Sequence, residues 1–182
     1  MRTIFFKLAN GARSILDPFT WLHSLRILHF YSYTYVREKR KIKIGTDQMF
    51  APNVSIVNGE RITIGNRCHV GQRVCLWAGD TCGRITLGDD VLIGPAVVIT
   101  SSDYGLIEGT PPAFQPKNER DVVIGNGVWI GANAVITAGV VIGEGCIIGA
   151  GSVVTRDLPT NMICGGVPAR PIKPRPKSDG LP

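Results

Sequence analysis

Histidine is scarce in this chain of 182 residues: there are three, His23, His29 and His69. A metal held by several imidazoles needs more of them in the body of the protein than His69 alone, so no metal cofactor is expected. Five cysteines (Cys68, Cys75, Cys82, Cys146 and Cys164) are an odd number, with no C-x-x-C pair and no histidine at zinc-ligand spacing. They read as reduced thiols of a cytoplasmic protein, mostly small core residues. No run approaches the roughly 20 apolar residues of a membrane span. Lys7, Arg13 and Asp17 interrupt the apolar N-terminal stretch and no small-residue cleavage site follows it, so neither an integral membrane protein nor a signal peptide is expected.

The charge is uneven. The net charge is +6, but residues 1–43 hold nine Lys/Arg against Asp17 and Glu38, while residues 44–182 hold eleven basic against twelve acidic residues. Eight of the thirteen aromatics precede residue 36, and twenty-one of the 22 glycines follow residue 44. Nucleic-acid binders are usually basic where they are folded. The glycine-rich body here is slightly acidic, which argues against a nucleic-acid partner.

What the chain has instead is a period of six. An aliphatic or aromatic residue recurs at Ile44, Phe50, Ile56; Ile64, Val70, Leu76; Leu87, Ile93, Ile99; and Ile124, Ile130, Ile136, Ile142, Ile148, Val154. Glycine commonly follows it, and a second small or apolar residue such as Cys68, Val74, Val91, Val128 or Ser152 lies four positions on. Six fits neither a helix nor a plain alternating strand. It fits short strands separated by tight turns, with glycine permitting the turn. Extra residues appear only after Ile56, Leu76 and Ile99, each time after a third hexapeptide. Three hexapeptides therefore make one coil of a triangular prism, and about five coils over residues 44–161 make an all-β solenoid, a parallel β-helix. Residues 105–123 are punctuated by Pro and Gly and form a loop extruded from the third coil.

These repeats, with the stretch DVVIGNGVWIGANAVITAGVVIGEGCIIGAGSVVTRDLPTNMICGGVPARPIK (Asp121–Lys173), closely resemble the hexapeptide-repeat acyltransferases. Within them the chain looks like the branch of maltose/galactoside acetyltransferases and O-antigen or colanic-acid O-acetyltransferases, over about residues 40–175. The resemblance implies a left-handed β-helix, a homotrimer, and acetyl-CoA bound in the cleft between neighbouring prisms. It implies transfer of acetyl to a sugar hydroxyl of a polysaccharide or its precursor. Matched position by position, the CoA contacts fall on Ala132, Ala150, Thr155, Arg156, Arg170 and Lys173. The chemistry agrees: a pyrophosphate and a 3′-phosphate need cations, and Gly149, Ala150 and Gly151 would let the pantetheine approach the backbone. Gly71, Trp77 and Asp80 are the substrate-binding candidates. Trp129 stands outward, beside the cofactor cleft or at a subunit interface.

In this family the base is a histidine about five residues past the last aliphatic of the third coil. Here that segment reads Thr100-Ser101-Ser102-Asp103-Tyr104-Gly105, with Tyr104 at the base position and Ser102 at the other common histidine position. An ordinary tyrosine is about one part in a thousand ionised at pH 7, where an ordinary histidine is largely neutral. Three readings stay open: His69 takes over as base; Tyr104 acts with help from a cation such as Arg73 or Arg120, with Asp103 and Asp80 orienting hydroxyls; or the chain is a catalytically silent hexapeptide scaffold. The γ-class carbonic anhydrases share the fold but need three repeat-borne histidines, and this prism has one.

Residues 1–43 form a separate N-terminal segment. Ile4, Phe5, Leu8, Ala12, Ile15 and Leu16 opposite Lys7, Asn10 and Arg13 predict an amphipathic helix. Asp17-Pro18 predicts an N-cap and first turn of a second helix through Leu28. Alternating Tyr31, Tyr33 and Tyr35 predict an extended stretch. The basic cluster Arg37, Lys39, Arg40, Lys41 and Lys43 follows. Such a segment caps the open end of the prism and contacts an anionic membrane peripherally, at the inner face of the membrane. Residues 162–182 read as a basic C-terminal tail.

Overall fold

A residue that recurs every sixth position can be buried at each recurrence only if the chain turns a corner between them. The computed structural model of the protein, which describes residues 15–177, turns in this way through five coils with three faces. The first face stacks Lys43–Ile44, Ile62–Ile64, Ile85–Leu87, Val122–Ile124 and Val141–Ile142. The second stacks Met49–Phe50, His69–Val70, Leu92–Ile93, Trp129–Ile130 and Ile147–Ile148, and the third Ser55–Val57, Cys75–Trp77, Val98–Thr100, Val135–Ile136 and Val153–Val154. Pairing between coils is parallel and in register, so Ile64 lies under Leu87, Leu87 under Ile124 and Ile124 under Ile142. The hexad aliphatics and the residues four positions on, Cys68, Val74, Val91 and Val128 among them, fill the interior almost without exposure. The lowest coil is the exception, with Ile44 39% exposed.

The corners show what the glycines are for. Gly45, Gly65, Gly88, Gly125 and Gly143 follow the first face and have ordinary φ angles. The left-handed residue comes two positions later and is often not glycine: Asp47, Arg67, Asp90. What excludes a side chain at these glycines is the next coil. A Cβ on Gly125 would lie 2.6 Å from Glu144 N and 2.9 Å from its Cα, and backbone does not move aside. The same corner carries a ladder in which Asn66, Asp89 and Asn126 Oδ1 each accept from the backbone N–H of the coil below: Thr46 at 3.0 Å, Asn66 at 2.7 Å and Asp89 at 2.9 Å. Gly125→Ala is expected to cost about 2–4 kcal/mol by forcing these coils apart. A matching fall in the thermal midpoint checks it, and an unchanged midpoint contradicts the steric account.

Two corners never vary. Four residues separate first from second face and second from third in every coil, whereas the third corner holds residues 58–61, 78–84, 101–121 and 137–140 in successive coils. The longest of these is ordered at its root. Ser102–Asp103 pairs antiparallel with Asn118–Glu119, Pro112–Phe114 forms a 3₁₀ turn, and the buried Gln115 side chain accepts from Ile107 N at 2.8 Å and donates to the carbonyls of Ile107 and Thr110.

At the low end, the helix α1 (Pro18–Tyr31) begins as the sequence predicts, with Asp17 accepting from Phe19 N at 2.9 Å and Pro18 in the first turn. The amphipathic helix expected over residues 3–16 falls almost wholly outside the described residues. The tyrosine segment is not extended: Ser32–Arg37 is π-helical and Glu38–Lys41 is 3₁₀, and the helical winding brings the rings of Tyr31 and Tyr35 to 5.2 Å between centroids. Helix α1 buries none of its residues and is not the cap. The cap is the turn after it, where Ile42 and Glu38 are buried. The Glu38 carboxylate accepts from Gly59 N at 3.2 Å and pairs with Lys41 at 2.8 Å. Burial pushes the Glu38 carboxyl up, but the Lys41 ammonium and the Gly59 N–H outweigh it and hold it below its ordinary value.

At the high end, residues 162–174 are no loose tail. Met162–Gly166 continues the second face beside Ile147–Ile148, and Ala169–Pro174 returns antiparallel along it.

Candidate active site

The variable corner holds a cleft of about 190 Å³, lined by Val57, Trp77, Thr100 and Ser102 below the loop and by Asp80, Tyr104 and Lys117 at its mouth. Val57, Trp77 and Thr100 are successive rungs of the third face, so the indole stands at a fixed height, its N–H donating to Ser55 Oγ at 3.1 Å. Its exposed ring offers an apolar wall of the kind sugars stack on. The strand after the third face carries Ser102 and Tyr104 to the cleft. Alternation turns Asp103 to the other side, so it does not join them. Ser102 Oγ is buried without a hydrogen-bond partner among the described residues. It is a free polar group for a hydroxyl.

Lys117, which the sequence did not single out, organises the mouth. Its ammonium lies 2.7 Å from Asp80 Oδ2 and 5.6 Å from the centre of the Tyr104 ring. Lys117 holds the Asp80 carboxyl below its ordinary value with help from Asn58, whose amide donates to Asp80 Oδ1 at 3.1 Å, and Asp80 in turn raises Lys117. The cation beside Tyr104 is therefore Lys117. Arg73 and Arg120, expected from the sequence, stand elsewhere: Arg73 in the second-to-third corner, Arg120 against Gly139. Behind Lys117, the Glu119 carboxylate gathers the backbone N–H groups of Asp80 (2.7 Å), Thr81 (3.0 Å), Cys82 (2.6 Å) and Gly83 (2.9 Å), and the Thr81 hydroxyl at 3.0 Å. Burial raises this carboxyl, but the converging donors hold it far below the usual carboxylate range. Both residues lie in an aperiodic loop, where no spacing could have marked them.

His69 is not in this cleft. It faces outward on the second face between Met49 and Leu92, and with Gly71 it lines a separate hollow of about 570 Å³. Gly71 acts as a stacking glycine, since a Cβ there would lie 2.9 Å from the backbone of the coil above. Within one chain His69 and Tyr104 belong to different faces. Above His69 the outward row runs through Leu92 and Trp129 to Ile147.

The expected cofactor contacts fall around the high end. Ala132 and Ala150 stack at the second-to-third corner, joined through Gly151 N donating to Ala132 O at 2.8 Å. Gly151 has φ +70° and nothing within 4 Å of a built Cβ, so the backbone there is open to approach. Thr155 and Arg156 lie exposed after the third face, and Arg170 and Lys173 on the returning strand of the second. Among the described residues none of Arg156, Arg170 or Lys173 has a carboxylate within 4.0 Å. Unpaired cations beside an open backbone suit a polyphosphate. No three His, Cys, Asp or Glu side chains among the described residues are grouped to hold a metal ion.

A parallel β-helix with a polar cleft at its variable corner and free cations at its high end is the build of an acyl-group transferase. The family model for the bacterial transferase hexapeptide (six repeats) matches residues 121–156, and that for the hexapeptide repeat of succinyl-transferase matches residues 61–101. The chain is 31% identical over 166 residues to the galactoside O-acetyltransferase of Escherichia coli strain K12, covering 84% of this chain and 77% of that one. It is 32% identical over 139 residues to the putative colanic acid biosynthesis acetyltransferase WcaF of the same strain, covering 75% and 71%. Among solved structures it is similar to a hexapeptide-repeat-containing acetyltransferase of Vibrio cholerae O1 biovar eltor in complex with acetyl coenzyme A. There the TM-score is 0.68 at 30% identity, over 77% of this chain and 75% of that one. The chain belongs to the hexapeptide-repeat acetyltransferases, and its prism is their left-handed β-helix.

Proposed function

We propose that the protein transfers acetyl from acetyl-CoA to a hydroxyl of a sugar in a polysaccharide or its precursor. One observation carries the reading: a cleft with an aromatic wall and the unsatisfied Ser102 hydroxyl stands on the same prism as unpaired cations beside an open backbone. The acceptor hydroxyl attacks the thioester carbonyl and gives up its proton to the base. Backbone N–H groups at the coil edge stabilise the oxyanion, and the CoA thiolate leaves and is protonated. Tyr104 stands at the base position, with Trp77, Asp80 and Ser102 around the acceptor.

The assembly is a homotrimer in this reading. The outward row Met49, His69, Leu92, Trp129 and Ile147 is apolar but for His69, with Met49 62% exposed and Trp129 49% exposed. A neighbouring copy covering this row would bring His69 toward the Tyr104 cleft of that copy. No described helix is long and apolar enough to cross a membrane. Residues 1–43 supply a peripheral contact at the cytoplasmic face in this reading.

The test is kinetic. Arg170→Ala and Lys173→Ala should each raise the KM for acetyl-CoA about 10- to 100-fold, the worth of a charge-assisted phosphate contact, with little change in kcat. Unaltered KM in both variants, or no CoA binding by the parent protein at millimolar concentration, removes the reading.

A further inference from the structure

Between the foot of α1 and the first coil lies a groove of about 470 Å³. Tyr31, Tyr35, Val36, Ile44 and Pro52 form its apolar walls, with Lys39 and Arg40 on the rim. The two cations are not neutralised by neighbours. Glu38 and Glu60 are both taken by Lys41, at 2.8 and 3.5 Å, and among the described residues neither Lys39 nor Arg40 has a carboxylate within 4.0 Å. Lys39 is steadied over the Phe50 ring at 4.7 Å, which leaves its N–H donors free. An apolar trough with free cations at its mouth is complementary to an amphiphile with an anionic head.

The helix above the groove says where such a molecule comes from. Phe19, Trp21, Leu25, Leu28 and Phe30 are each 59% or more exposed. Large apolar side chains exposed together mark a surface for a membrane or a partner. At 14 residues it is about 21 Å long, too short to cross a bilayer but long enough to lie in its interface. Its surroundings are basic: Arg26 and Arg37 join Lys39, Arg40 and Lys43, while Asp17 is spent on the N-cap.

We propose that this groove binds one anionic phospholipid of the membrane surface in which α1 lies. The phosphate sits on Lys39 and Arg40 and an acyl chain runs along Tyr31, Tyr35, Val36 and Ile44. The site rests on the acetyltransferase reading only in that a membrane-borne acceptor gives it a purpose. It fixes the open end of the prism toward the lipid and the high end, with its free cations, away from it.

Full-length protein is mixed with vesicles of phosphatidylcholine alone or with added phosphatidylglycerol, and sedimentation and retained lipid per chain are measured. The mixed vesicles alone should carry the protein down, with one phosphatidylglycerol kept per chain after the vesicles are dissolved. Lys39→Gln with Arg40→Gln should weaken vesicle binding by about 25-fold, at about fivefold per cation. Val36→Asp should abolish the retained lipid while sedimentation persists through the helix, and Leu25→Asp with Leu28→Asp should abolish sedimentation. Equal retention of the two lipids overturns the proposal, as does retention unmoved by the Gln variants or displacement of the lipid by inorganic phosphate alone. So does a wild-type protein that binds no vesicle and whose oligomer dissociates on Leu25→Asp with Leu28→Asp, since a second copy then fills the groove. Acetyl transfer to a soluble sugar, followed in the same variants, should stay unchanged. Its absence in the parent protein would count against the transferase reading and leave the lipid result to stand alone.

Discussion

Replacing Tyr104 with Phe is expected to lower kcat for acetyl transfer to a sugar hydroxyl by on the order of 10²- to 10⁴-fold, the usual worth of general-base help. The KM for acetyl-CoA should not move, because the proposed cofactor contacts lie elsewhere. The substitution removes one oxygen and keeps the ring that Lys117 covers at 5.6 Å. The loss would therefore report proton transfer rather than packing. Lys117→Met should reproduce part of it and shift the pH profile of kcat, which a purely structural role would not do. If Tyr104→Phe retains the full rate while His69→Ala loses it, the base comes from the second face of a neighbouring copy. If Tyr104→His alone creates activity, the natural chain is a scaffold that has given up catalysis.

Glu119→Ala should be the most damaging substitution in the loop. One carboxylate holds four consecutive N–H groups and a hydroxyl of residues 80–83, and removing it frees them all. Each bond to a charged acceptor is worth about 1.5–3 kcal/mol, but water reaches the freed donors, so about 2–4 kcal/mol of loop ordering is the expected total. The KM for the acceptor should rise, with CoA binding intact. The pH dependence follows from the sign of the shift. A carboxyl held far below its ordinary value contributes stability that is fully present above the unfolded value of about 4.3 and fades as pH falls toward the folded one. Proteolysis within residues 105–117 should thus be slow from neutral pH down to about 5 and accelerate below about 4. In Glu119→Gln it should be fast at neutral pH already. A loop equally protected in both proteins would show that the ribbon, rather than the carboxylate, holds it.

The solenoid was legible because it is written locally. A six-residue period states which side chain is buried and where the chain must turn, and the five coils follow from where the period breaks. The glycines carry a constraint that the period does not state. At Gly125 the constraint is the backbone of Glu144 one coil later, which no window of neighbouring residues contains. The candidate site could be read from the sequence where its residues sit on a rung or in a motif, as with Trp77, Tyr104 and the terminal cations. It was not legible where a loop folds back: Lys117 reaches Asp80, and Glu119 reaches residues 80–83, across more than thirty residues of aperiodic chain. Residues 1–43 are read as a cap, and among those of them that are described the buried part is the turn at Glu38 and Ile42 while helix α1 stays exposed. Its hydrophobicity says that something must cover it, and composition does not say whether protein or lipid does so.

The constancy of two corners and the variability of the third divide the labour of the molecule in a way that bears on descent. A length change at a four-residue corner would throw every later rung out of register, whereas residues 58–61, 78–84 and 101–121 can lengthen or shrink with the coils above and below still stacked. In the proposed reading the donor half of the reaction is tied to the regular geometry of the stack, and the acceptor half is carried on corners that can change length. New sugar preferences can arise by grafting a corner, with no change to the machinery that handles the thioester.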